Sequence, residues 1–440
     1  MPLSQPFHAL FRADARTTLS MHQVEVRETR AQAIWVSPDS LLTLDRCRLT
    51  ENDGHSMVGG FPGGTALAVQ GRAYLIESRI DSNYTSRFGA AVNVWDHGFV
   101  SCQNCLFDEN FAELEAGAIY AVTQGGVALD LIGCTFLENE SAQLDGGAIY
   151  LNGCDLRATN SSFAANKAGQ GSGGAIFFAP GASAEWSEIV HCTLSTNLCG
   201  VRGGALGGSG TIELSNSIVA GNDSPLDADL GSGLSVVNPA SNLIGGDPQL
   251  APLGDYGGPT PTMPPLPRSP AIDGATDSWE VEDQRGTLRD NFFREKQFPD
   301  LGAVEYQRAA DLALFWNLDW DGDGSPFGAE FAGGTDALAP DRGDPAHPRL
   351  TADAGGHPGI TFGIDSSVAS DVAWVVRRST DLIHFEEIYR FDGRAQSETS
   401  APGIIAVLTP PLSPDRISVF DTNPPSPRAF YHFGAVLLAP

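Results

Sequence analysis

Apolar residues in the first half of the chain come in short runs, alternating or continuous, such as AIYAV and VALDLIGC, split by Gly, Asn and Pro-Gly. These runs carry no 3.6-residue period and predict β-strands. They also recur. CRLTEN ends at Asn52, SRIDSN at Asn83, CLFDEN at Asn110, CTFLEN at Asn139, SSFAAN at Asn166, CTLSTN at Asn197 and SIVAGN at Asn222. The Asn spacings are 31, 27, 29, 27, 31 and 25. A second landmark accompanies most copies, as in GAAVNV, AGAIYAV, GGAIYL, GGAIFF and GGAL. A near-fixed period of this length marks a solenoid. A unit with two or three short strands cannot close a core alone; stacking turns about 4.8 Å apart does so. The predicted fold is mainly β: a right-handed parallel β-helix of about seven or more turns, with a C-terminal cap and a small C-terminal β-sandwich.

Within that fold the landmarks take on structural roles. The seven Asn residues predict an inward amide ladder at one corner, with the Asn itself tolerating the bend. Cys47, Ser78, Cys105, Cys134, Ser161, Cys192 and Ser217 predict a second column of small buried side chains. Cys105 and Cys134 fall on adjacent turns, near disulfide range, and the spacing leaves bonding open. The seven cysteines are odd in number, lie between Cys47 and Cys199, and include only one CxxC, Cys102 and Cys105.

Composition narrows the function classes. The chain has 440 residues with 26 Lys and Arg against 54 Asp and Glu, a formal charge of −28. That balance argues against non-specific nucleic-acid and anionic-membrane binding. No stretch is long and apolar enough to predict a transmembrane segment. MPLSQPFHALFRADARTT lacks the apolar core of a secretory signal, although the rest of the chain reads as extracellular or cell-surface. A truncated N-terminus is the expectation that reconciles the two, and the protein is expected to be a monomer.

The GGAI and FxxN alternation over about residues 45–225 resembles the repeats of polymorphic outer-membrane proteins and related right-handed β-helix proteins. Residues 242–306 contain GGPTPT at Gly257–Thr262, SPAID at Ser269–Asp273, DQRG at Asp283–Gly286 and DLGAVE at Asp300–Glu305. This resembles the choice-of-anchor Q module, with Met263 where His is common and Pro264-Pro265 replacing a small apolar pair. Read from its residues alone, the Pro-rich segment is expected over the last open rung, with Asp283, Arg285, Asp300 and Glu305 in structural ion pairs. The predicted boundaries are 1–241 for the β-helix, 242–308 for the cap, 309–345 for a short helix and linker loop, and 346–440 for the sandwich.

The linker holds a candidate metal site. DWDGDGSPFGAE places Asp319, Asp321, Asp323, Gly324 and Glu330 at positions 1, 3, 5, 6 and 12 of a D-x-D-x-D-G-x5-E loop. Alternating hard oxygen ligands suit Ca²⁺, with the carbonyl of Ser325 at position 7. The following FAGGTD resembles the single calcium repeats of thrombospondin type-3 and dockerin-like linkers, which usually carry Asn or Asp at position 9. Phe327 stands there, so a backbone or water ligand is expected to substitute. Binding is expected to stiffen the joint between cap and sandwich.

Catalytic signals are sparse. Two carboxylates flanking a sugar bond would be needed for glycoside hydrolysis, and no DD or GHG motif is present. Arg294-Glu295-Lys296 matches RxK outside the repeats. NVWDHG, Asn93 to Gly98, is similar to the WIDH motif of pectate lyases and makes Asp96 and His97 the catalytic candidates, at a position where other turns carry loops. Glu51, Asp81, Asp108, Glu109 and Glu138 predict an acidic stripe. The expectation is a secreted or surface-exposed bacterial protein binding polysaccharide or a surface or matrix component. The alternative is a polysaccharide lyase or glycoside hydrolase, which would need carboxylates and one Arg or Lys clustered on one face.

Overall fold

The computed structural model describes residues 9–437 apart from 31, 55–65, 124, 181–186, 238–240, 277, 290–297, 324, 334–335, 340–348, 356, 366–371, 380–384, 392–400, 403, 410–414, 423 and 425–429. The chain divides into two compact units, residues 1–306 and 307–440.

The first unit is a right-handed parallel β-helix of about eight turns. Its described strands form an eight-stranded sheet from Ala9–Ala13 to Leu206–Gly208 and two nine-stranded sheets. The nine-stranded sheets run from Thr18–His22 to Leu234–Val237 and from Glu25–Arg27 to Leu243–Ile244. A strip of two-residue strands runs from Tyr84–Thr85 to Leu198–Cys199. We call these sheets one, two, three and the strip. All pairings among them are parallel, as in Ile119↔Ile149 and Phe107↔Phe136. Inward Ile, Leu, Val and Ala fill one continuous core, and Phe107, Phe136 and Phe163 stack inside it at 4.6 and 4.8 Å.

The corners explain the repeat. Each ladder Asn donates Nδ2 to the Oδ1 of the next at 2.8–2.9 Å, from Asn52 through Asn222. Each also reaches a carbonyl of the preceding rung, as Asn139 Nδ2 does with Phe107 O at 3.0 Å. The left-handed backbone falls on the residue before each Asn, not on the Asn: Glu51, Ser82, Glu109, Glu138, Ala165 and Thr196 all have φ between 51 and 62°. Such a conformation costs a non-Gly residue about 1–2 kcal/mol, and the four-bonded amide beside it offsets that cost. Arg46, Glu77, Asn104, Asn160, His191 and Asn216 repeat the device before the Cys/Ser column. In that column Ser78, Ser161 and Ser217 Oγ accept the backbone N–H of Cys47, Cys134 and Cys192. All seven cysteines are buried free thiols, and burial pushes Cys192 up to about 12.

Of residues 242–306, expected over the last open rung, Leu243–Ile244 form the last strand of sheet three, and the described residues beyond them lie along the flank of that sheet. Gln284 Nε2 donates to Cys134 O and Thr135 Oγ1, Thr260 Oγ1 to Gly133 O, and Asn160 Nδ2 to Glu282 O. Leu250, Met263, Ala271 and Leu301 bury against Ala164, Ile218 and Ala220. Small outward side chains on these rungs leave room for the segment, and its own polar groups replace the water that sheet three would otherwise meet.

In the second unit, helix α1 (Arg308–Phe315) and helix α2 (Phe327–Gly333) flank the acidic loop. Two antiparallel sheets follow, one ordered Arg349–Ala352, Pro358–Ile364, Asp415–Asp421, Ile404–Thr409, the other Glu386–Phe391, Val372–Ser379, Phe430–Leu437. They share a core around Trp374, Phe362, Ile417 and Val419, and Phe362 meets Phe433 across it at 4.1 Å. The loop is more than a linker: α2 belongs to this core, with Ala332 buried in it and Trp374 Nε1 donating to Ala332 O at 2.8 Å.

Candidate functional site

The register of the first rungs creates a notch. Val36, Val69 and Val94 are aligned in sheet one, and Leu41, Arg72 and Phe99 in sheet two. Between these positions the chain has Ser37–Ser40 on one rung, only Gln70-Gly71 on the next, and Trp95–Gly98 on the third. A two-residue turn between two four-residue turns leaves a gap. It is a cleft of about 730 Å³, with Gln70, Arg72 and Tyr74 on the middle rung, Asp39 on one neighbour and Asp96 and His97 on the other. The structure thus brings the two sequence candidates, Asp96 and His97, together with a second carboxylate and a guanidinium on one face.

Local geometry fixes these groups. Asp39 and Asp96 take left-handed backbone, φ 60 and 58°. Gln70 Nε2 donates to Asp96 Oδ2. Tyr74 packs edge-on against Phe99 at 6.1 Å, which holds its ring half-buried. Asp39, Arg72, Asp96 and His97 are exposed, and among the described residues Arg72 makes no ion pair. Sequence reasoning missed Asp39, Arg72 and Tyr74. The signal was the shortness of the Gln70-Gly71 turn, which is readable only once the register is known.

Other candidates resolve differently. Arg294-Glu295-Lys296 lies outside the described residues. Of the expected acidic stripe, Asp81 accepts from Arg48 at 2.6 Å and Asp108 from Arg79 at 2.7 Å, so only Glu51, Glu109 and Glu138 stand exposed at the corner. Phe88, Tyr120, Tyr150 and Phe177 stack face to face on the outside of sheet one at 4.9, 5.1 and 5.6 Å. The inner rings spend both faces on one another, and Arg87 lies over the outer face of Phe88 at 5.8 Å, so along most of the column ring edges rather than faces are presented.

Asp283, Asp300 and Glu305 are buried and Arg285 is half-buried. The expected ion pairs form in part: Arg285 pairs with Asp283 at 3.2 Å and Glu305 with Arg289 at 3.3 Å, whereas Asp300 accepts from the backbone N–H groups of Asp273 and Tyr306. Asp283 accepts from the N–H groups of Arg285, Thr287 and Glu305. Arg289 reaches Glu305, Asn160 and the carbonyl of Gly302, joining the segment to the solenoid. Burial, then the charge of Glu305, pushes the Asp300 carboxyl up to about 8.

In the acidic loop, carboxylate oxygens of Asp319, Asp321 and Asp323 all lie within 4.8 Å of one another. Each caps a turn of the loop: Asp319 accepts from Gly322 N, Asp321 from Asp323 N and Asp323 from Ser325 N, at 2.8–3.0 Å. Gly324 lies outside the described residues. Glu330 is buried on α2 and does not join the three-carboxylate group. Phe327, at position 9, packs with Phe315, Trp320 and Phe331, which explains why an aromatic residue occupies a ligand position.

Comparison with protein-family models, with curated proteins and with solved structures finds no match for this chain. Among the described residues no helix is long and apolar enough to cross a membrane.

Proposed function

We propose that this β-helix is an extracellular or cell-surface protein that binds polysaccharide, or a surface or matrix component, through the notch between its first rungs. The observation that carries this reading is the two-residue Gln70-Gly71 turn, which leaves Asp39, Arg72, Tyr74, Asp96 and His97 facing one cleft. Carboxylates, a guanidinium and an imidazole are the groups that pair with sugar hydroxyls, and a half-buried Tyr supplies apolar surface beside them. The test is a glycan array with the purified chain. Binding to one glycan class, lost on His97→Ala with Arg72→Ala, supports the reading; no retained glycan overturns it.

A second reading, cleavage of the bound polysaccharide, is favoured by the presence of Asp39, Asp96 and Arg72 in the same cleft. A reducing-sugar and unsaturated-uronide assay separates the two. Release of product, abolished by Asp96→Ala or His97→Ala, would establish a lyase or hydrolase.

The acidic loop is proposed to hold one Ca²⁺ on Asp319, Asp321, Asp323 and the carbonyl of Ser325, with Glu330, which stands outside the three-carboxylate group, drawn in when the ion binds. The close approach of three carboxylates supports this, since the ion would neutralise their mutual repulsion.

A further inference from the structure

We infer that the notch selects an uncharged, hydroxyl-rich sugar over a uronate; this rests on the reading of the notch as a glycan site. The argument is one of charge and donor count. Two carboxylates, Asp39 and Asp96, stand on the rungs either side of a single guanidinium, Arg72. With histidine counted as neutral, the cleft carries one net negative charge, inside a chain of −28.

A carboxylate only accepts hydrogen bonds. Asp96 takes one from Gln70 on Oδ2, and Asp39 faces the cleft from the opposite rung. Both therefore call for donors from the ligand. Sugar hydroxyls supply donors and also accept from Arg72. A uronate carboxylate supplies acceptors alone. Arg72 could meet one such group, but the ligand charge would then sit between Asp39 and Asp96. A ligand charge on the middle rung would lie about one rung spacing, roughly 4.8 Å, from each neighbouring rung, inside the screening length of about 8 Å at physiological salt, so salt does not remove the repulsion. Tyr74, held edge-on against Phe99, presents apolar surface on the same rung as Arg72. That pairing of a polar rim with one aromatic side suits a neutral sugar, whose ring has both hydroxyl edges and C–H faces.

The experiment is isothermal titration of the full chain with four probes at low and physiological salt. The probes are a β-1,3-glucan, a galactomannan, polygalacturonate and chitosan. The expected result is binding of a neutral polymer with an affinity that salt changes by less than about twofold. Arg72→Ala and Asp39→Ala should each weaken it about tenfold or more, the loss expected for a hydrogen bond to a charged group. Both side chains are exposed, and unchanged circular dichroism checks the fold. The salt comparison on the unsubstituted protein stands whatever the variants do. Polygalacturonate bound more tightly than either neutral polymer, weakened by salt and lost in Arg72→Ala, would overturn the selectivity and leave the glycan site intact. Chitosan bound most tightly, weakened by salt and lost in Asp39→Ala, would do the same. Binding of no probe, or binding untouched by both substitutions, would overturn the glycan site itself and the selectivity with it.

Discussion

Asn222 ends the amide ladder on a carboxylate: its Nδ2 donates to Asp229 Oδ1 at 2.8 Å, and its backbone N–H to the same oxygen at 3.2 Å. Every earlier Asn finds this acceptor in the Asn of the next rung. An Asn in place of Asp229 would bring two N–H donors of its own that need acceptors. An acceptor-only group closes the ladder without that residue of unmet donors. At the other end Thr29 donates its N–H and its hydroxyl to Asn52 Oδ1. The ladder is thus satisfied from end to end, which sets the cost of breaking it.

Asn139→Ala should destabilise the β-helix by about 1–3 kcal/mol, because the buried N–H of Asn110 and one N–H of its Nδ2 lose their acceptor, and Phe107 O and Asn166 Oδ1 each lose a donor. Urea unfolding followed by circular dichroism measures this. An unchanged midpoint would mean that the amide column contributes nothing to stability.

Gly174→Ala should cost about 1–3 kcal/mol by overpacking. A Cβ there would meet the carbonyl oxygen of Gly204 at 2.1 Å and that of Leu198 at 2.6 Å, both backbone atoms on the next rung. The backbone itself would have to separate. Thermal melting of this variant beside Gly231→Ala, where the backbone is not left-handed and a Cβ would meet its nearest neighbours at an ordinary 3.4 Å, isolates the steric part. Equal melting points would rule the clash out.

Asp300 should make stability fall as pH rises. Its carboxyl is raised to about 8 in the folded chain from an ordinary 3.8. Between those values the folded state holds a proton that the unfolded chain releases, so the stabilisation present at low pH is lost as pH climbs towards 8. The slope is at most about 1.4 kcal/mol per pH unit. Asp300→Asn keeps the site neutral and should flatten this part of the profile. Parallel stability profiles for both proteins from pH 5 to about 8 would show that Asp300 is ionised throughout.

Calcium should raise the melting temperature of the second unit and leave the β-helix transition in place, because α2 is part of the sandwich core. The affinity expected of an extracellular site is on the order of 10⁻⁴–10⁻³ M. Calorimetric titration of the full chain, with Asp321→Asn as control, reads both. No calcium-dependent heat at several times that concentration would mean that the three aspartates only cap turns.

Much of the solenoid was legible because its information is local and repeated. An Asn every 25 to 31 residues states both the rung and the corner. The notch was only half legible. Asp96 and His97 stood out as a turn of unusual composition. Asp39 and Arg72 did not, because nothing within their own rungs marks them. The acidic loop was read from five fixed positions, but its attachment to Trp374 was not, since that contact spans 42 residues.

The sequence by itself determined the parallel β-helix, the amide ladder, the column of small side chains and the acidic loop. In each, identical groups one repeat apart can satisfy one another, so spacing alone fixes the partner. The tertiary structure decided what depends on differences between rungs. It placed the left-handed residue before each Asn rather than on it. It laid the described residues between Ile244 and Tyr306 along the flank, where Gln284 and Arg289 find partners more than a hundred residues away. It also opened the cleft, because a turn two residues shorter than its neighbours becomes a gap only when the strands on either side are held in register by the rungs above and below.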